Sequence, residues 1–224
     1  MNTTNLIGTL VVSVYIFSII GLSELLRRRF GWQTEGTRKV VHIGVGMVMW
    51  LVPFLFDLPL LFIICTGLFA ILLLIDNRAH FFPAMASSKG DSNLGTVYFP
   101  LAVMVVTWLF WETPALMVAI LMPLTWGDGM AAVVGRKFGR NQYTIFDQTR
   151  SLEGSAAYGL FGFLFTWLAL FLLPNPFVIT VGAAALAAAA VIVVTVIIEA
   201  ISVRGLDNLA ITAVAGAILA LWSF

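Results

Sequence analysis

The sequence predicts an all-α fold: a polytopic integral membrane helical bundle of about eight transmembrane helices, organised as a single membrane-embedded domain over residues 1–224. Three observations carry that expectation. The chain is 61% hydrophobic and 10% charged, whereas a soluble domain carries roughly 25% charged residues. Its apolar residues fall in runs of about 17 to 25, the length a helix needs to satisfy its own backbone across a bilayer. The charges gather in alternate connections between those runs.

Taken in order, the first span is Leu6 to Leu22, followed by Arg27-Arg28-Arg29. Met1 to Asn5 has no basic residue and so lacks the n-region of a cleaved signal peptide; this helix is expected to stay as an anchor. The second span, Val40 to Phe56, and the third, Leu60 to Ile75, are separated only by Asp57-Leu58-Pro59, a tight antiparallel turn. Gly95 to Trp111 and Ala115 to Val134 are joined in the same way by Glu112-Thr113-Pro114. Ser155 to Leu173 and Val178 to Ile198 flank Pro174-Asn175-Pro176, and Leu209 to Phe224 closes the series. The Ala-rich run Gly182 to Ala190 suits close helix packing. Trp50, Trp108, Trp111 and Trp222, near span ends, read as interface anchors.

All twelve basic residues, from Arg27 through Lys89 to Arg204, fall on one side of this arrangement, and of the eleven acids only Asp57 and Glu112 fall on the other. The positive-inside rule makes the basic side cytoplasmic, with both termini on the non-cytoplasmic side. The expected setting is the cytoplasmic membrane of a bacterium or archaeon, with a site facing the cytoplasm. A net charge of +1 gives no reason to expect nucleic acid. Cys65, the single cysteine, has no internal disulfide partner and reads as a small buried apolar residue. Nothing in the sequence specifies an oligomeric state.

Polar chemistry concentrates in a few blocks. Asp128 lies thirteen residues into the fifth span, about 20 Å along a helix axis and within a hydrocarbon layer of about 30 Å. A carboxylate at that depth needs a cavity, a metal or an opposite charge. Gly127 and Gly129 beside it allow close approach by a ligand; the competing reading, that Gly127-Asp128-Gly129 merely ends the helix, is opposed by the apolar pattern resuming at Ala131 to Val134. Gly135-Arg136-Lys137-Phe138-Gly139-Arg140 and Arg150-Ser151-Leu152-Glu153-Gly154-Ser155 combine glycines, cations and a helix start, the ingredients of a phosphate site. They equally describe a basic loop on anionic lipid, with Ser151 and Glu153 as helix caps. Arg38 and His42 stand four apart on one helix face, a second anion contact or an ordinary interface pair. No GxxxxGK[ST], GxGxxG after a strand, or HExxH occurs.

The blocks Arg38-Lys39-x-x-His42-Ile43-Gly44, Gly95-Thr96-Val97-Tyr98-Phe99-Pro100, Gly127-Asp128-Gly129 with Gly135-Arg136-x-x-Gly139, Ser151-Leu152-Glu153-Gly154-Ser155, and Glu199 followed by Asp207-Asn208 resemble the CTP-dependent polyprenol kinase family. That group includes phytol, dolichol and diacylglycerol kinases and shares a superfamily with phosphatidate cytidylyltransferase. The resemblance covers about residues 38 to 210. It implies transfer of the γ-phosphate of CTP, with Mg2+, to the hydroxyl of a prenyl alcohol or diacylglycerol at the cytoplasmic face. Asp128 and His42 are then the candidate catalytic groups, either of them able to take the hydroxyl proton. Arg38, Lys39, Gly129, Gly135, Arg136, Gly139, Arg140, Arg150, Ser151 and Glu153 would surround the nucleotide, and Asp128, Glu199 and Asp207 would serve the metal. Two departures stand out: Arg150 replaces the family's usual Lys, and Arg204-Gly205-Leu206-Asp207-Asn208 replaces the cytidylyltransferases' D-R-x-D, which favours the kinase branch. The competing classes are a cytidylyltransferase making a CDP-lipid and a non-enzymatic small transporter or lipid-binding protein; transport predicts ionisable groups at mid-bilayer rather than at one surface.

Overall fold

The computed structural model describes residues 3–79, 81, 94–146, 148–202 and 205–224; Lys89 and Arg204 of the basic set lie outside the described residues. The chain is a bundle of helices with one small hairpin. In order come α1 (Thr3–Phe30), α2 (Thr34–Met47), a 3-10 turn (Val48–Trp50), α3 (Val52–Leu55), α4 (Pro59–Ala79), α5 (Gly95–Phe110) and α6 (Pro114–Met122). A π turn (Pro123–Asp128) then leads straight into α7 (Gly129–Phe138), followed by β1 (Gln142–Ile145), β2 (Gln148–Ser151), α8 (Leu152–Leu172), α9 (Val181–Ile201) and α10 (Asp207–Leu221).

Five helical stretches among the described residues are long and apolar enough to cross a membrane: α1, α4, α6 through α7, α8 and α9. α5 and α10 are apolar but shorter. The second expected span is broken into α2, the 3-10 turn and α3, with Pro53 at the start of α3 where its missing N–H costs no hydrogen bond. The eight expected segments are therefore all helical, but only five reach full spanning length.

α6 is the centre of the bundle. Every residue from Ala115 to Met122 is buried, because α5, α8 and α10 all pack around it. α1 and α4 lie outside, with a line of large apolar side chains turned outward that only lipid would solvate: Leu6, Leu10, Val14 and Phe17 on α1, and Leu60, Ile64, Leu68 and Ile71 on α4. The proline turns lie at one end. Ala115 N–H donates to the Pro174 carbonyl (3.2 Å), and Asp57 N–H donates to Asn5 Oδ1 (2.8 Å), joining that turn to the start of α1. The basic side chains of the last turns of α1 and α7 mark the other end.

Two local features differ from the sequence expectation. Pro123 removes the backbone donor that would close the next α-helical ring, and the helix widens into a π turn before recovering at Gly129. Trp126 anchors that turn, its ring lying flat on Phe165 with centroids 3.9 Å apart and its Nε1–H donating to Met47 Sδ at 3.0 Å. The stretch between α7 and α8 is a two-stranded antiparallel ribbon pairing Gln142 with Ser151 and Ile145 with Gln148.

Candidate active site

The π turn decides where Asp128 points. Its carboxylate meets the Lys39 ammonium of α2 across 89 residues of sequence, and His42 Nε2 stands 3.7 Å from the same oxygen. Only 9% of the Lys39 side chain and 13% of the Asp128 side chain are exposed, so each is the compensation that lets the other be buried. The expectation that this acid would need a partner is met. His42 Nε2 donates to the Leu124 carbonyl at 2.9 Å. A carbonyl only accepts, so this contact fixes the proton on Nε2 and leaves Nδ1 as the nitrogen able to take one. Phe99 tilts against the imidazole with centroids 4.6 Å apart.

Cations surround this pair. On α2, Glu35 is held by Arg38, and its Oε1 also meets Arg136 of α7 at 3.0 Å, so two guanidiniums from different helices share one carboxylate. Arg150 of β2 is paired with Glu199 of α9 and donates from Nη2 to the Ser202 carbonyl at 3.2 Å. Glu199 is buried, with Oε2 unbonded in the protein, and Arg150 Nε is likewise buried without a partner. Asn208 Nδ2 donates to the Gly95 carbonyl at 2.6 Å, fastening α10 to the start of α5.

The motif glycines have a steric explanation. A Cβ on Gly127 would stand 2.9 Å from the Tyr158 ring, and one on Gly129 would stand 2.6 Å from the Ile43 side chain. A Cβ on Gly139 would collide with the Gly135 carbonyl at 2.1 Å and the Ser151 hydroxyl at 2.6 Å. These glycines let α7, α8 and α2 touch, so the acid and the cations converge. Ser151 caps α8 by accepting from Gly154 N–H at 3.1 Å.

All of this opens on one cavity of about 750 Å³. Arg38, Lys39, His42, Asp128, Gly135, Arg136, Gly139, Arg150, Ser151, Glu199 and Asp207 line its polar end. Its other end is an apolar limb between α1, α2, α4 and α5, walled by Val12, Ile16, Val45, Met49, Phe69 and Val103 among others. Phe17 and Leu68 line that limb while also being 55% and 61% exposed, so its wall between α1 and α4 reaches the outer, lipid-facing surface.

Of the nucleotide residues expected from sequence, Gly129, Arg140 and Glu153 are not in the lining. Glu153 instead accepts from Arg140 N–H (3.2 Å), Asn141 N–H (3.2 Å) and Asn141 Nδ2 (2.8 Å), clipping the hairpin to the first turn of α8. The three carboxylates assigned to a metal are not clustered as ligands: among the described residues no group of three or more His, Cys, Asp or Glu is placed to hold an ion. Lys39 engages Asp128, and Arg150 engages Glu199.

No family model and no solved structure matches the chain significantly. Over 207 residues it is 30% identical to a phytol kinase of Synechocystis sp. (strain PCC 6803), a match that covers 90% of this chain and 85% of that protein. The chain belongs to the polyprenol and phytol kinase family. It also resembles probable phytol kinase 2, chloroplastic, of Oryza sativa subsp. japonica (30% over 158 residues; 66% of this chain, 52% of that one). Farnesol kinase, chloroplastic, of Arabidopsis thaliana is 27% identical over 165 residues, covering 69% of this chain and 53% of that one. Within this polyprenol kinase fold, sequence reading missed Glu35 and the hairpin residues Gln142, Gln148 and Thr149, all of which line the cavity. Glu35 had a signal, its i, i+3 spacing to Arg38; the hairpin had only the four-residue polar–apolar alternation of Gln142–Ile145.

Proposed function

We propose that the protein is a membrane-embedded prenyl alcohol kinase that transfers the γ-phosphate of CTP to the hydroxyl of a phytol- or farnesol-like lipid at the cytoplasmic face. The observation that carries this reading is one cavity joining an apolar limb, whose wall between α1 and α4 reaches the lipid-facing surface, to a mouth lined by Arg38, Lys39, Arg136 and Arg150. A lipid alcohol and a polyanionic nucleotide can meet there without either leaving its own phase. The phytol kinase and farnesol kinase relatives support the acceptor class.

Phosphoryl transfer needs positioning and charge neutralisation more than covalent assistance. Arg136 and Arg38 approach from two helices, and Arg150 from the hairpin, so three guanidiniums can grip a triphosphate from different directions. Lys39 holds Asp128 in place on the cavity wall. The alcohol oxygen attacks the γ-phosphorus, the bond to the β-phosphate oxygen breaks, CDP departs, and the hydroxyl proton passes to Asp128 or to His42 Nδ1. A magnesium ion arriving with the nucleotide needs only one or two protein carboxylates, and Asp128 and Asp207 on the cavity wall are the residues that would hold it. Such an ion would offset the charge on the phosphate oxygens.

The test uses purified protein in lipid nanodiscs with farnesol or phytol, magnesium and CTP labelled separately in the base and the γ-phosphate. The expected result is γ-label alone in the lipid. Base label in the lipid would instead show nucleotidyl transfer, and no label with any lipid alcohol would remove the kinase reading.

A further inference from the structure

We propose that the apolar limb measures the acceptor's tail, with the rings of Phe56 and Phe62 as its floor. Granted the lipid-alcohol reading above, this assigns the substrate as a prenyl chain of about 15 to 20 carbons, from the bond lengths that follow. The limb runs along α4 from Leu73 to Phe62, which at 1.5 Å per residue is about 17 Å. Each isoprenoid unit adds four main-chain carbon–carbon bonds of about 1.5 Å, close to 5 Å when extended, so three to four units fill the limb.

The floor is closed from three directions. Phe56 and Phe62 are 5% and 4% exposed and meet edge to face, 5.4 Å between centroids. Beneath them α1 presses backbone to backbone on α3, since a Cβ on Gly8 would lie 2.3 Å from the Leu55 carbonyl oxygen. The Asn5 side chain locks the turn after α3 through Asp57 N–H. Two of the wall's hydroxyls ask nothing of an occupant: those of Thr9 and Thr66 are spent at 2.8 Å on the Asn5 and Phe62 carbonyls of their own helices. A chain much longer than the limb must fold back or protrude between Phe17 and Leu68, losing the contacts that a matched chain keeps.

The experiment compares kcat/KM for geraniol, farnesol, geranylgeraniol and a C55 polyprenol in wild type, Phe62→Ala and Phe62→Trp. Wild type should favour farnesol and geranylgeraniol by about tenfold or more, the scale at which apolar pockets discriminate chain length. Phe62→Ala should move the optimum to longer chains, and Phe62→Trp to geraniol. A wild-type profile flat in chain length, or variant profiles superimposable on it, overturns the proposal. A measurement independent of turnover separates this from failure of the kinase reading: a geranylgeranyl probe with a terminal diazirine is photolysed on the protein and the adduct mapped. Adducts on Phe56, Phe62 or Thr9 support the floor even if no alcohol is phosphorylated; adducts confined to Phe17 and Leu68 show the tail leaving sideways and sink it.

Discussion

At the scale of single residues, the site rests on buried charges held in pairs. Asp128→Asn keeps the size of the side chain but loses the charge facing Lys39; the expected outcome is a membrane-inserted protein whose turnover falls about a hundredfold to a thousandfold, the scale of one electrostatic group in a transition state. Unchanged kcat in that variant would remove Asp128 from the chemistry. Arg150 needs a more careful experiment, because truncating it strands Glu199 as an uncompensated buried anion, at a cost of about 3–5 kcal/mol. Arg150→Ala alone should lower thermal stability and activity together. Replacing both partners, Arg150→Met with Glu199→Met, should return the stability while leaving nucleotide KM raised; recovery of KM as well would confine the pair to a structural role. Gly139→Ala places a methyl group against the Gly135 carbonyl and Ser151, and detergent melting should show a loss of about 1–3 kcal/mol.

At the scale of elements, the π turn is the device that aims the acid. A π turn holds one residue more than the α-helix it interrupts, so deleting Thr125 should let Pro123–Asp128 relax toward α-helical register and rotate Asp128 away from Lys39. The expected result is unchanged helical circular dichroism with turnover lost; retained turnover would mean the turn is incidental. How far each element was legible follows from what kind of interaction builds it. Asp128 stood out because one carboxylate interrupts an apolar span, and its depth alone demanded a partner. That the partner is Lys39 could not be read, since a contact across 89 residues is set by helix packing and by glycines chosen for closeness rather than flexibility. Charge density revealed the loop after α7, but the hairpin inside it stayed hidden: the polar–apolar alternation of Gln142–Ile145 lasts only four residues, and Phe146, at φ 46°, takes a conformation usually left to glycine. Pro53 and Pro123 were visible as residues; that one would break a span and the other widen it depends on neighbours the sequence does not order.

At the scale of the whole molecule, charge sits at one end of an apolar body, and the ion pairs of Glu35 with Arg38 and Arg136 require those two helices to share a compartment. In a Cys65→Ser background, single cysteines introduced at Trp32 and Lys137 should react with a membrane-impermeant maleimide from the same side, and one at Leu58 from the other; labelling of Trp32 and Lys137 from opposite sides would refute the arrangement. The Glu35 carboxylate also sets how the mouth waits between turnovers. Two guanidiniums brought face to face would repel, and this tethered anion keeps them assembled in the position a phosphate would claim. On the nucleotide reading proposed above, a triphosphate arriving from solution would have to evict this resident carboxylate, and the grip would be a contest between two anions, adjustable by the strength of the tether and felt most when competing salt is scarce.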